Sequence, residues 1–272
     1  MAHPQIAVFA RLANGGANPV RKIEGQKTML GRTMHSIVYD ERHDEFVVPQ
    51  QFGQAILTFR GGADGEEAPI RVIQGSLTQL RNPDRLAVDP VHDEIFVPQG
   101  NQVLVFPRAA KGNIAPIRIL KGPDTQLGAN ALAVDPVHDL LVVGGRRGGE
   151  SHLLIFNRTD QGNTKPKRVI GGPKSGLAHI SGPFAVYPAR SEIVVSVRGA
   201  GSESNEMATD DCFVGIWSTD DNGDVPPRWK IGGPKGVLRM VRGVDLDPKN
   251  KSVIVTDKRL NAVLTFYFPE MF

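Results

Sequence analysis

Short apolar runs recur along this chain at near-regular intervals. Ile6–Phe9, Ile56–Phe59, Val103–Phe106, Leu153–Phe156, Val214–Trp217 and Val263–Phe266 start 50, 47, 50, 61 and 49 residues apart. Each of the first five closes on an aromatic residue followed by the same three markers. Six residues on stands Gly15, Gly65, Gly112, Gly162 or Gly223; ten on, Pro19, Pro69, Pro116, Pro166 or Pro227; sixteen on, Gly25, Gly75, Gly122, Gly172 or Gly233. The spacing reads as a hairpin: a glycine with positive φ in the turn, then a proline opening the next strand where no N–H is needed.

Two further strands complete each unit. One is Leu86–Pro90, matched by Leu132–Pro136, Phe184–Pro188, Val244–Pro248 and, more loosely, Ile37–Asp40; the other is Glu94–Val97, matched by Glu45–Val48, Leu140–Val143, Glu192–Val195 and Ser252–Val255. Strands of four to six residues with turns every ten or so, and no helical period, predict an all-β repeat fold. Four strands and about fifty residues per unit are the dimensions of a propeller blade. The fold class is therefore all-β: a single β-propeller over residues 1–272, with five four-stranded blades, six being the alternative. The strands are A (Leu86 type, innermost), B (Phe96 type), C (Val105 type) and D (Ile70 type, outermost). The chain starts with a C–D hairpin and ends with A, B and C. Pairing of Pro19–Ile23 with Val263–Phe266 is thus expected to close the ring. Ile6–Phe9 is then surplus, an apolar edge of the kind proteins rarely leave bare. The aromatic tail Phe266–Phe272 is expected either to cover that blade or to leave it for a neighbouring molecule.

Leu86–Asp89 with Ile95–Val97 and Val103–Phe106, and their counterparts, resemble the blades of NHL/YVTN-type bacterial propellers. Asn101-Gln102 and Asn261-Ala262 echo the polar turn ahead of strand C. The resemblance covers nearly the whole chain at repeat level and implies a propeller. It leaves function open among partner-binding scaffolds, surface proteins and lactone hydrolases.

Composition narrows this little. With 40% hydrophobic and 22% charged residues the chain has a globular balance. A net charge of +3 without a long Lys/Arg run points to no nucleic-acid partner. One cysteine, Cys212, excludes an intramolecular disulfide and a Cys/His zinc cluster. No apolar stretch is long enough to span a membrane. The first residues lack a signal peptide's basic and apolar regions; removal of such a signal would fit a bacterial extracytoplasmic location.

Comparing the repeats separates blade-building residues from others. His43, His92 and His138 recur in the A–B turn, as do Arg21, Arg71, Arg118 and Arg168 on strand D. They are read as turn caps and edge pairs. At the start of strand A, where loops gather at the channel mouth, the units differ: His35, Asp84, Asn130, Gly182 and Arg242, with His179 and Arg239 nearby. This ring is the candidate binding site. Gly144–Gly149 brackets Arg146 and Arg147, read either as a flexible loop or as an anion cradle. An acidic insertion over 198–212 carries Glu203, Glu206, Asp210 and Asp211.

No nucleophile elbow, zincin motif or phosphate loop is present. The leading reading is a non-catalytic binding or structural module without cofactor. It would present its loop face to a protein or glycan, or self-associate through the closing blade. The alternative is a metal-dependent lactone hydrolase of the gluconolactonase-like type. There a divalent cation would be held by Asp84, Asn130 and His35, and would polarise a carbonyl or a bound water.

Overall fold

The computed structural model describes residues 4–180, 182–199 and 211–272. Glu203, Glu206 and Asp210 of the acidic insertion lie outside them. The fold is all-β, a propeller of five antiparallel blades on a four-strand plan, with only short 3₁₀ turns as helical elements among the described residues. No described helix is long and apolar enough to cross a membrane.

The strands follow in chain order. β1 (Gln5–Val8) and β2 (Arg21–Glu24) form a two-stranded sheet. The first blade is β3 (Val38–Asp40), β4 (Glu45–Gln50), β5 (Ala55–Arg60) and β6 (Arg71–Gln74). The second is β7 (Ala87–Asp89), β8 (Glu94–Gln99), β9 (Gln102–Pro107) and β10 (Arg118–Lys121). The third is β11 (Ala129–Asp135), β12 (Leu140–Arg147), β13 (Glu150–Asn157) and β14 (Arg168–Gly171). In the fourth the innermost strand is split into β15 (His179–Ile180) and β16 (Ala185–Tyr187), Gly182-Pro183 lying in the break. Its other strands are β17 (Glu192–Arg198), β18 (Phe213–Ser218) and β19 (Trp229–Gly232). The fifth holds β20 (Val241–Asp247), β21 (Ser252–Asp257) and β22 (Ala262–Tyr267). The chain divides into two compact units, Met1–Ile95 with Val105–Ile117, and Phe96–Leu104 with Arg118–Phe272.

Within the first unit the repeat markers do more than turn the chain. Gly65, at φ 61°, donates its N–H to Lys22 O at 2.7 Å and accepts from Glu24 N at 3.0 Å. It therefore stitches its own hairpin to the preceding fourth-type strand. Gly112 does the same with Val72 and Gln74. The proline ten residues past the aromatic frees the next residue to open the pairing, as where Ile70 N donates to Thr58 O at 2.8 Å. His43 and His92 each place Nδ1 2.8 Å from a carboxylate oxygen of the buried Asp40 and Asp89 of their own turns. The four-residue turns 41–44 and 90–93 are closed in this way, so these histidines belong to the blades.

The second unit repeats the stitching with Gly162 under Leu120 and Gly223 under Ile170. Its core runs through Val142, Ile155, Val194, Ile216 and Val255, all almost wholly excluded from water. The aromatic tail folds onto this core. Met271 is buried, the rings of Phe272 and Tyr187 lie 5.2 Å apart, and Arg190 Nη1 donates to Glu270 O at 2.7 Å.

One expectation is corrected. Residues 19–23 do not pair with 263–266: β2 pairs with β1, and β20–β21–β22 is a three-stranded sheet. The reason is local. β1 meets β2 with Val8 opposite Arg21, the register in which Thr58 meets Arg71. β1 thus holds the seat of a third strand on β2, and a short hairpin loses far less entropy than a closure spanning most of the chain.

Candidate functional site

In the first unit His35 and Asp84 precede the innermost strands of their blades, and the structure brings them together. His35 Nδ1 makes a short contact to one Asp84 oxygen, and Arg85 Nη1 lies 2.9 Å from the other. His35 is half exposed, while Arg85 is buried. The carboxylate is thus engaged at both oxygens, on one side by a buried guanidinium.

In the second unit Asn130 and Arg242 share a local structure that the sequence does not reveal. The β11–β12 register shifts between Ala129 and Ala131, and the β20–β21 register shifts between Val241 and Gly243. Both residues are the extra member of a β-bulge, a feature that re-aims a side chain out of the ladder. Asn130 Nδ2 donates to Ile180 O at 3.4 Å. His179 faces Arg198 across β15 and β17. Its burial, then the positive charges of Arg146 and Arg198, push its imidazole below the ordinary histidine range. Arg239 turns back on its own loop, Nη1 donating to Gly236 O at 2.8 Å and Leu238 O at 3.0 Å.

Gly144–Gly149 is not a loop. β12 and β13 pair as far as Arg147 and Glu150, leaving Gly148 and Gly149 as a two-residue turn with φ 61° and 90°. Two successive positive φ values match the twist of a hairpin and favour glycine. Arg146 Nε donates to Gly149 O at 2.8 Å, and Arg147 Nη1 to Pro123 O at 3.4 Å. Both guanidiniums therefore answer carbonyl oxygens of the protein itself.

A feature missed in the sequence is a cleft of about 680 Å³ in the second unit, lined by Pro173, Leu177, Arg198, Phe213, Lys230 and Gly232 among others. Its wall departs from the repeat. Lys230 stands where Val72 and Val169 stand in other fourth-type strands, and its Nζ lies 4.6 Å over the Phe213 ring. An ammonium over an aromatic face beside apolar side chains suits a ligand with both an anionic and an apolar part. The available signal was a lysine where the fourth strands of the first three blades carry Val72, Ile119 and Val169, a place that Lys22 also takes in β2. Among the described residues no group of three or more His, Cys, Asp or Glu is placed to hold a metal ion.

No family model matches the chain, and no curated protein matches it. Solved structures do. A hydrazine synthase chain of Kuenenia stuttgartiensis superposes with a TM-score of 0.57 at 13% identity over 82% of this chain. This chain spans 55% of that one. A chain of a nidogen/laminin complex gives 0.52 at 14% identity, covering 88% of this chain and 81% of its own. At such identities the likeness is one of fold: these neighbours, like this chain, are propellers.

Proposed function

We propose that this protein is a non-catalytic propeller of the NHL/YVTN repeat type, a binding or structural module working without a cofactor. The loop-bearing ends of its blades take a protein or glycan partner. The observation that carries this reading is the state of Asp84. Its carboxylate is committed to His35 and Arg85, so the residue best suited to activate a cation serves the protein's own structure. Arg146, Arg147 and Arg239 are likewise turned onto backbone oxygens. The Phe213–Lys230 cleft offers the partner an apolar floor with a cation above it.

The test is differential capture from a lysate or a glycan array. Lys230→Glu in the cleft should abolish capture. Arg60→Ala, which breaks only an exposed pair with Glu67, should leave it intact. Equal capture by both variants would reject the cleft.

The second reading, metal-dependent lactone hydrolysis, draws on Asn130, which its bulge aims out of the ladder. Asp84, Asn130 and His35 as they stand do not fit a divalent cation, because a guanidinium already neutralises Asp84. Elemental analysis of the purified protein with a lactone assay separates the two. Stoichiometric metal and a lactonase activity lost in Asp84→Ala would replace the first reading with the second.

A further inference from the structure

The fourth blade and the turn leading into it depart from the repeat at three positions, and all three line one cleft. Phe213 opposes Gly232 at the start of its third strand, where Ala55 opposes Gln74 and His152 opposes Gly171. Lys230 opposes Gly215 in the register in which Val72 opposes Leu57 and Val169 opposes Leu154. Gly176 closes the 3₁₀ turn ahead of the blade at φ 67°, whereas Met29, Gln79 and Gln126 close the corresponding turns at φ 58°, 59° and 59°.

Each departure has a physical consequence. Three other turns hold a long side chain at this left-handed position, so the backbone does not require glycine at 176. What the glycine leaves is space: a Cβ there would start 3.6 Å from Cζ of Phe213, in a cleft of about 680 Å³. Phe213 and Leu177 are buried and give that cleft an apolar floor. Lys230 is exposed, its Nζ 4.6 Å from the centre of the Phe213 ring. Lys22 takes the same place in β2, but there Gln5 and Met29 stand for Phe213 and Gly176, so both the ring and the space are missing.

The ammonium has no counter-ion. Among the described residues no carboxylate lies within ion-pair distance of Lys230. The two acids on the cleft wall are placed otherwise: Glu150 lies opposite Arg147 at the tip of the β12–β13 hairpin, and the Asp211 carboxylate lies against Gly199. Lys174 and Lys235, in the two Gly-Gly-Pro-Lys turns that flank the cleft, add positive charge beside it. A cation with a ring on one side and an open cleft on the other draws an anion, and the floor accepts apolar surface.

We propose that the Phe213–Lys230 cleft reads a carboxylate carried on a small apolar body. The carboxylate pairs with the Lys230 ammonium, and the apolar body fills the space left by Gly176 against Phe213 and Leu177. This rests on the proposed function in taking the cleft as the binding surface, and it names the chemistry the cleft accepts.

The experiment titrates the full chain with phenylacetate and with phenylacetamide, its neutral isostere, at one ionic strength, followed by NMR. Wild type should bind the carboxylate about 10-fold more tightly than the amide, the scale of a charge-assisted contact. Lys230→Val, which restores the residue of the first and third blades, should bring the carboxylate down to the affinity of the amide. Gly176→Gln, which installs the side chain of Gln79 and Gln126, should abolish binding of both. Circular dichroism verifies folding. If Gly176→Gln does not fold, Gly176→Asn replaces it, because asparagine accepts the left-handed region. An amide that binds wild type as tightly as the carboxylate, or carboxylate binding undiminished in Lys230→Val or in the variant at Gly176, would each overturn the proposal. Phenylacetate that displaces a captured partner assigns the carboxylate to that partner, and binding without displacement assigns it to a free small molecule. Phenylacetate that fails to bind while Lys230→Glu still loses capture would overturn this inference and leave the partner reading standing. Binding as expected, with capture indifferent to Lys230→Glu, would do the reverse.

Discussion

Arg108 Nη1 donates to Glu45 Oε2 at 2.7 Å while its Nε donates to Asp93 at 2.7 Å, so one guanidinium ties the second strand of the first blade to the turn of the second. Arg71 holds the other Glu45 oxygen. Burial alone would raise the Glu45 carboxyl; the hydrogen bonds and charges of Arg71 and Arg108 more than offset that and hold it below its ordinary value.

Arg108→Ala should therefore destabilise the protein by about 3 kcal/mol, the scale for leaving a buried charge without its partner. Urea unfolding at neutral pH measures it. The pH dependence has a definite sign. A depressed carboxyl stabilises the fold above its unfolded value, near 4.5, and that stability is lost as pH falls through the lower folded value. Glu45→Gln should be less stable than wild type at neutral pH, with the difference shrinking in acid. A constant difference from neutral pH down into acid would contradict the paired arrangement.

Gly215 and Trp217 form a matched exchange for the Leu and Phe of other blades. Leu57–Phe59, Leu104–Phe106 and Leu154–Phe156 occupy the same two positions. The larger indole leaves no room: a Cβ on Gly215 would sit 2.5 Å from Trp217 Cη2. Gly215→Leu alone should cost on the order of 3 kcal/mol or prevent folding, from overpacking. Trp217→Phe alone should leave a cavity and cost about 2 kcal/mol. The double variant should recover most of both losses, a coupling that a double-mutant cycle reads directly. Additive losses would show the two sites to be independent.

Gly75 has φ 129° and ends a fourth-type strand with the Asn113 side chain against it, while Asn113 Oδ1 accepts from Leu77 N at 2.8 Å. A side chain at Gly75 would meet both an unfavourable backbone region and Asn113. Gly75→Ala should cost about 2 kcal/mol, and Asn113→Ala about 1 kcal/mol. Thermal melts should show the glycine variant as the more damaged. The reverse order would mean that the side-chain bond, not the backbone, sets the turn.

The blade plan was legible because it is written redundantly. Pro69, Gly65 and Phe59 mean little alone, but their fivefold recurrence fixes strand type and order. What was not legible depends on side-chain geometry or on competition between equivalent segments. Asn130 and Arg242 look like residues at a strand's edge, yet both are bulges, which no periodicity marks. Gly148-Gly149 looked like the end of a flexible segment because two arginines precede it, although a Gly-Gly pair between apolar runs is itself a hairpin signal. The closing strand went to β1 rather than β22 because both carry the same pattern, and pattern cannot rank two claimants to one seat. The unpartnered Oε2 of Glu192 has no mark in the repeat, because it depends on Trp229 opposing Ile216 where Arg71 opposes Thr58.

That carboxylate gives a prediction opposite in sign to that for Glu45. Burial pushes Glu192 upward, with only partial opposition from the charges of Arg190 and Arg228. A group whose folded pKa is raised binds its proton more tightly in the native state. Its unfavourable effect is therefore absent in acid, develops as pH rises through the unfolded value near 4.5, and is complete above the folded value. Glu192→Gln keeps the shape and removes the charge. The substitution should stabilise the protein at pH 7. The gain should fade as the pH is lowered towards 4. Urea unfolding at the two pH values measures both arms. A variant less stable than its parent at pH 7 would mean that the charges of Arg190 and Arg228 outweigh the cost of burial.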